Sequence, residues 1–375
     1  MVFRKDKMKV SCTQENLTRG LNIVGRLVGT RATLPVLNNI LIKTKNGRLT
    51  LSATDLEIGI STWIGAKVDK DGAVTCPARL LSEYTTTNTD KTISIELKDT
   101  TLHLESEHFK ANIKGIDASE FPLIPEVKEG ETLEVAAQDL KDGILKTAFA
   151  CALDETRPVL AGVCLKISNG KIKMVATDSY RLAEKTINLM TKESKELNII
   201  VPQRTMAEIG RLLDEAVDKV VIKIGENQIH FKMGPTEVIS RLVEGSFPDY
   251  EQIIPKNIKT KIEINTAQFL NAIKMASFFA REAANNVKLV FQKPKKLEVI
   301  AVSPQLGDNT SKLEAVLSGE ELEIAFNAKF ILDVLQIMDS EKLSLELAGS
   351  LSPGIIKPAK DPNYLYIIMP LRMEE

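Results

Sequence analysis

The chain has 375 residues, of which 43% are apolar and 26% charged, and its formal net charge is −1 at pH 7. That length accommodates two or three domains with cores of their own, and the composition excludes a disordered or low-complexity chain. A near-zero charge excludes a uniformly basic nucleic-acid binder; any DNA contact needs basic residues gathered on one surface against an acidic remainder.

Residues 1–7 read as an extension ahead of a second methionine, Met8, and the stretch Met1 to Lys9 lacks the apolar run of a secretory signal. No window approaches about eighteen consecutive apolar residues, so no membrane span is expected and the protein is read as cytoplasmic. Cys12, Cys76, Cys151 and Cys164 are widely spaced, form no CxxC pair, and read as structural thiols in a reducing compartment.

In chain order, Leu17, Leu21, Val24 and Val28 recur at helical spacing and predict a first amphipathic helix. Strand-like runs follow around the turn Asn46-Gly47, leading to Ala53-Thr54-Asp55-Leu56. Cys76-Pro77-Ala78-Arg79 then opens a second helix near Arg79 to Thr87, which its threonines disfavour. The alternating strand Thr101-Leu102-His103-Leu104-Glu105 and the marker Phe121-Pro122-Leu123-Ile124-Pro125 complete the first third.

The same order then returns. Leu140, Ile144 and Ala148 predict a helix, Asn169-Gly170 a hairpin turn before the strand Lys171-Ile172-Lys173-Met174-Val175, and Ala176-Thr177-Asp178-Ser179 echoes the first third. Val201-Pro202-Gln203-Arg204 leads into Met206, Ile209 and Leu213, and Phe247-Pro248-Asp249-Tyr250 closes the second third. The last third offers Phe269, Ile273, Ala276 and Ala280, then Ala301-Val302-Ser303-Pro304, then Phe326-Asn327-Ala328-Lys329 before Ile331, Val334 and Met338, and ends at Met369-Pro370-Leu371.

From Pro77 to Pro202 to Asn327 the steps are 125 residues each, a domain-sized period far above that of a solenoid. Three homologous domains are therefore expected, at 1–127, 128–255 and 256–375, divided in polar, proline-bearing stretches. Each is expected to be an α+β unit of two helices packed on antiparallel sheet.

Nothing points to catalysis or to a metal or cofactor. Walker A, GxGxxG, HExxH and GxSxG elements are absent, and the three histidines, His103, His108 and His230, have no matching nucleophile nearby. Asp55 and Asp178 recur, but after a strand such an aspartate is expected to satisfy turn amides.

Several segments resemble the bacterial DNA polymerase III beta subunit, the sliding-clamp family. They are Thr33-Leu34-Pro35-Val36-Leu37, Ala53-Thr54-Asp55-Leu56-Glu57, Phe121-Pro122, Ala176-Thr177-Asp178 with Arg181-Leu182, Phe247-Pro248-Asp249-Tyr250, and the terminal Tyr366-Ile367-Ile368-Met369-Pro370-Leu371-Arg372. The resemblance covers essentially the whole chain after Met8. It implies a non-catalytic processivity factor: three clamp domains per chain and two chains in a head-to-tail ring, with helices lining the hole around duplex DNA.

By the same resemblance Arg31, Arg79, Arg157 and Arg204 face DNA, and Phe278 and Phe279 meet the partner's first domain near Ile113 at the dimer interface. A cleft for short linear peptides from polymerases, the clamp loader and repair proteins carries over to Leu160, Thr177, Ser179, Tyr180, Arg181 and Leu182. Its further members are Pro248, Ile253, Leu351, Met369, Pro370, Leu371, Arg372 and Met373. Ser179-Tyr180 and Met373-Glu374-Glu375 depart from many members, and Pro158-Val159 stands where some carry aromatics that touch single-stranded DNA. Read from the residues alone, a repeat-built scaffold without DNA, or an enzyme with a site at a domain interface, stays open.

Overall fold

The computed structural model describes residues 8–29, 34–45, 47–154, 156–191, 195–293 and 295–372. The extension at 1–7, Asn46, Arg31 and Met373 lie outside them. Two compact units emerge: one holds the chain up to Ala137 together with Arg211–Leu242, the other Gln138–Gly210 together with the chain from Val243 onward.

The described residues form six helices, α1 (Gln14–Val24), α2 (Ala78–Thr87), α3 (Ala137–Thr147), α4 (Gln203–Leu212), α5 (Thr266–Ala280) and α6 (Ala328–Leu335), two per repeat. Each follows a strand directly, and the residue at the junction caps where it can. Thr13 accepts from the Asn16 N–H, Asn265 from Gln268 and Asn327 from Lys329. The apolar spacing faces inward: Leu17, Leu21 and Val24 of α1 are buried, as are Phe269, Ile273, Ala276 and Ala280 of α5.

One expectation at helix level is met and another corrected. The threonine-rich α2 forms where expected: Ala78, Leu81 and Thr85 anchor it in the core, and the buried Thr85 hydroxyl is satisfied by donating to the Leu81 carbonyl. Conversely, α6 stops at Leu335, so Met338 lies half-buried in the turn beyond it. The periodicity there runs on through a segment that no longer has the helical hydrogen bonds.

The first unit contains a five-stranded sheet ending on the free edge strand Lys110–Lys114, and a nine-stranded sheet. In the larger sheet the strand Ile58–Ile64 pairs antiparallel with Thr236–Arg241, placing Ile60 opposite Val238 and joining the first repeat to strands of the second. The second unit contains one twelve-stranded sheet, in which Arg181–Asn188 pairs with Tyr364–Ile368 and Ala183 stands opposite Tyr366.

These two joints are the same joint. Counted through the strand registers, Ile60 and Ala183 hold one place in their repeats, and Val238 and Tyr366 another. Even the exit is repeated: the Arg241 N–H donates to the Glu57 carbonyl, and the Met369 N–H to the Tyr180 carbonyl.

Candidate functional site

The described residues expected to form the cleft lie within the second unit. Their floor is one apolar core cluster of Leu160, Cys164, Val175, Leu182, Ile200, Phe247, Tyr250 and Ile367. Tyr250 is pinned there because its hydroxyl donates to Glu184 at 2.6 Å while Lys166 lies over its ring at 4.5 Å. Burial, then the Glu184 hydrogen bond, raise its pKa well above that of an ordinary tyrosine.

One side of the floor is bounded by a turn that the Ala-Thr-Asp marker builds. Thr177 is buried and donates its hydroxyl to the Arg181 carbonyl at 2.6 Å, while the Asp178 carboxylate accepts from the Tyr180 and Arg181 N–H groups. Thr54 and Asp55 make the same bonds in the first repeat. The aspartates therefore serve turn amides, as expected, and not acid–base chemistry. Ser179 is held at φ +79 and Tyr180 stands 61% exposed.

Met369, Pro370 and Leu371 are half-buried beside that turn, and Leu371 is fixed by an N–H bond to the Ala325 carbonyl at 2.8 Å. Pro248, Ile253, Leu351 and Arg372 are exposed. A partly solvated apolar surface with a rigid buried floor suits reversible capture of apolar anchors.

Arg181 has a different place from the one its motif suggested. It is buried; its guanidinium donates to Asp178 at 2.9 Å, to Asp333 at 2.5 Å and to the Phe149 carbonyl at 2.9 Å, between the rings of Phe149 and Phe330. It locks α6 to the turn and presents little of itself to a ligand. A second, half-buried network joins Lys146 and Lys185 to Asp142 and Asp361, with Lys185 to Asp361 at 2.5 Å. Its partners are up to 215 residues apart, so no local pattern announces them.

The basic candidates divide. Arg79 on α2 and Arg204 on α4 are exposed, Arg79 beside Glu83 at 2.8 Å. Arg157 instead donates to the Ser179 hydroxyl at 3.1 Å, which puts it at the Asp178 turn and on none of the six α-helices. At the expected dimer interface Phe278 is 45% exposed and Phe279 half-buried, but Ile113 is only 4% exposed, so its side chain belongs to its own core.

All four cysteines are free and buried, and burial pushes the thiols of Cys12, Cys76 and Cys151 up to about 12, far from a nucleophile's range. Among the described residues no helix is long and apolar enough to cross a membrane.

Models of the DNA polymerase III beta subunit match the chain along its length: the N-terminal domain at residues 8–125, the central domain at 134–249 and the C-terminal domain at 251–372. The beta sliding clamp of Bacillus subtilis (strain 168) is 32% identical over 97% of this chain and 100% of its own length. That of Staphylococcus aureus (strain N315) is 31% identical over 97% and 99%. The crystal structure of the Bacillus subtilis clamp superposes with a TM-score of 0.94 at 30% identity, covering 98% of this chain and all of that one. A Pseudomonas aeruginosa clamp bound to griselimycin gives 0.93 at 27% identity, again covering 98% and 100%.

Repeated α+β units joined through shared antiparallel sheets are the architecture of a DNA clamp. The chain belongs to the DNA polymerase III beta subunit family. It is a sliding clamp, a non-catalytic processivity factor that encircles duplex DNA as a ring-shaped homodimer and tethers the polymerase.

Proposed function

We propose that the ring closes by repeating its own internal joint a third time, between copies. The observation that carries this is the shared register of the two joints within the chain. The strand Gly307–Gly319 holds the place of Ile58–Ile64 and Arg181–Asn188, and its outer edge is exposed. Lys110–Lys114 holds the place of Thr236–Arg241 and Tyr364–Ile368, and its outer edge is free. Extending the register pairs Ala111 of one copy with Asn309 of the other, beside the exposed Phe278. Heterologous contacts of this kind close into rings.

In this reading the three domains divide near 127/128 and 255/256, and Arg79 and Arg204, with Arg31, meet the DNA backbone; the complex works in the cytoplasm. The surface over Leu160 and Leu182, walled by Pro248, Met369, Pro370 and Leu371, takes short linear peptides from the replicative polymerase, the clamp loader and repair proteins. Two apolar anchors contribute about 1.5–3 kcal/mol each before ordering costs, which supports micromolar affinity.

The test is topological. The protein loaded on nicked circular DNA is expected to be retained in gel filtration and released when one restriction cut linearises the circle. Equal retention on cut and uncut DNA would exclude encirclement.

A further inference from the structure

A cavity of about 600 Å³ opens between the end of α1 and the start of α2 in the first repeat. Its polar lining is Asn22, Arg26, Asn38, Arg79, Ser82 and Glu83. The two elements face each other closely, since a Cβ on Gly25 would stand 3.8 Å from the Ser82 hydroxyl. Arg79 is engaged by Glu83 at 2.8 Å, whereas Arg26 is exposed and forms no ion pair among the described residues. One guanidinium is therefore free, two carboxamides and a hydroxyl stand with it, and the lining carries a net positive charge.

The second repeat does not build this lining, and the third keeps only part of it, with Lys274 for Asn22 and Asn285 for Asn38. Aligned on their helix starts and strand registers, the second repeat has Leu145 for Asn22, Phe149 for Arg26, Ala161 for Asn38 and Ala207 for Ser82. Phe149 is spent on packing, stacked on Tyr366 at 5.8 Å and under Arg181. The third repeat has Phe278 and Leu332 in place of Arg26 and Ser82. Four polar side chains converge on one cavity where a sister repeat places four apolar ones, and no core requirement explains that.

We propose that this cavity is an anion site that seats a phosphodiester of duplex DNA, with Arg26 as its principal ligand. A guanidinium offers paired N–H donors that match phosphate oxygens, and amide and hydroxyl donors complete the set. The inference rests on the sliding-clamp reading and adds to it a backbone site in the first repeat whose polar lining the second repeat lacks.

The experiment measures binding of the full-length protein to a short labelled duplex by fluorescence anisotropy across a series of salt concentrations. The variants are Arg26→Ala, Arg26→Phe (the second repeat's residue) and, as a control, Lys70→Ala on the distant strand Lys67–Lys70. Both Arg26 variants are expected to lose about tenfold in affinity at low salt. Their log–log salt slope should flatten by about 0.9 for each phosphate that the variant no longer neutralises. Circular dichroism and sedimentation establish that the fold and dimer are intact. Arg26 variants that bind as the wild type does, or weaken no more than Lys70→Ala, would overturn the site. Arg26 variants that keep wild-type duplex binding but lose binding of an acidic peptide would overturn its assignment to DNA. A wild-type protein with no duplex affinity even at low salt would overturn the site, whereas loss of retention on nicked circles would overturn the clamp reading beneath it.

Discussion

At the scale of residues, the interior of the second unit depends on buried charge. Removing Arg181 would leave Asp178, Asp333 and the Phe149 carbonyl without their shared donor and empty the space between two rings. Arg181→Ala is therefore expected to cost about 3 kcal/mol in urea unfolding. Arg181→Lys should recover only part, because an ammonium cannot fork between two carboxylates and stack between rings. A loss under about 1 kcal/mol in Arg181→Ala would show that the network contributes only as a surface pair does. A second residue works by acid–base linkage. Asp90 accepts from the His108 ring at 2.7 Å and from the His108 backbone N–H at 2.8 Å. These bonds, with one from Ser106, hold its carboxyl down to about 2. Its folded pKa lies below its unfolded one, so its contribution is present above about pH 4 and disappears as pH falls toward 2. Asp90→Asn should flatten the pH dependence of the unfolding midpoint in that window; identical profiles would remove Asp90 as a source of acid sensitivity.

At the scale of elements, the C-terminal run divides into an anchor and a wall. Ile367 and Ile368 are fully buried in the strand Tyr364–Ile368, while Leu371 beyond it is half-buried and held by one bridge to Ala325. Deleting residues 371–375 removes that bridge, worth about 1 kcal/mol, but leaves the strand. Thermal unfolding and dimerisation are therefore expected to change little, and isothermal titration with a polymerase-derived peptide should show binding abolished. Unchanged peptide affinity would move the docking site elsewhere. The same scale explains both helix outcomes: core contacts override the poor propensity of the α2 threonines, whereas nothing extends α6 to Met338.

At the scale of the whole molecule, what matters is the direction of backbone groups on a free edge. The Gly115 N–H donates to the Thr100 carbonyl and the Ser106 N–H to the Phe109 carbonyl, so odd-numbered residues of Lys110–Lys114 are turned toward their own sheet. Lys110, Asn112 and Lys114 then direct theirs outward. Asn112→Pro deletes an outward donor and spares the inner ladder, whereas Ala111→Pro breaks the inner one. Asn112→Pro is expected to sediment as a folded monomer where the wild type is a dimer, as is Phe278→Asp, while Ala111→Pro loses thermal stability. Dimers in both Asn112→Pro and Phe278→Asp would place the seam elsewhere.

The sequence by itself determined what depends on local periodicity and on short motifs. The threefold order of markers, the inward faces of the helices, and the turn made by Ala-Thr-Asp each need only residues within a few positions of one another. The apolar character of Leu160, Leu182 and the terminal Met-Pro-Leu was legible in the same way. Tertiary structure alone decided which strands of different repeats share a sheet, because register is set by side chains that meet from opposite ends of a repeat. It decided that Arg181 is a buried lock, since its partner Asp333 lies 152 residues away and a charged residue looks alike in sequence whether solvated or paired. It also moved Arg157 to the Asp178 turn and Ile113 into the core, and it assembled the cavity around Arg26. Those outcomes depend on packing between distant segments, where burial and pairing follow from what the fold brings near and not from what the neighbouring residues are.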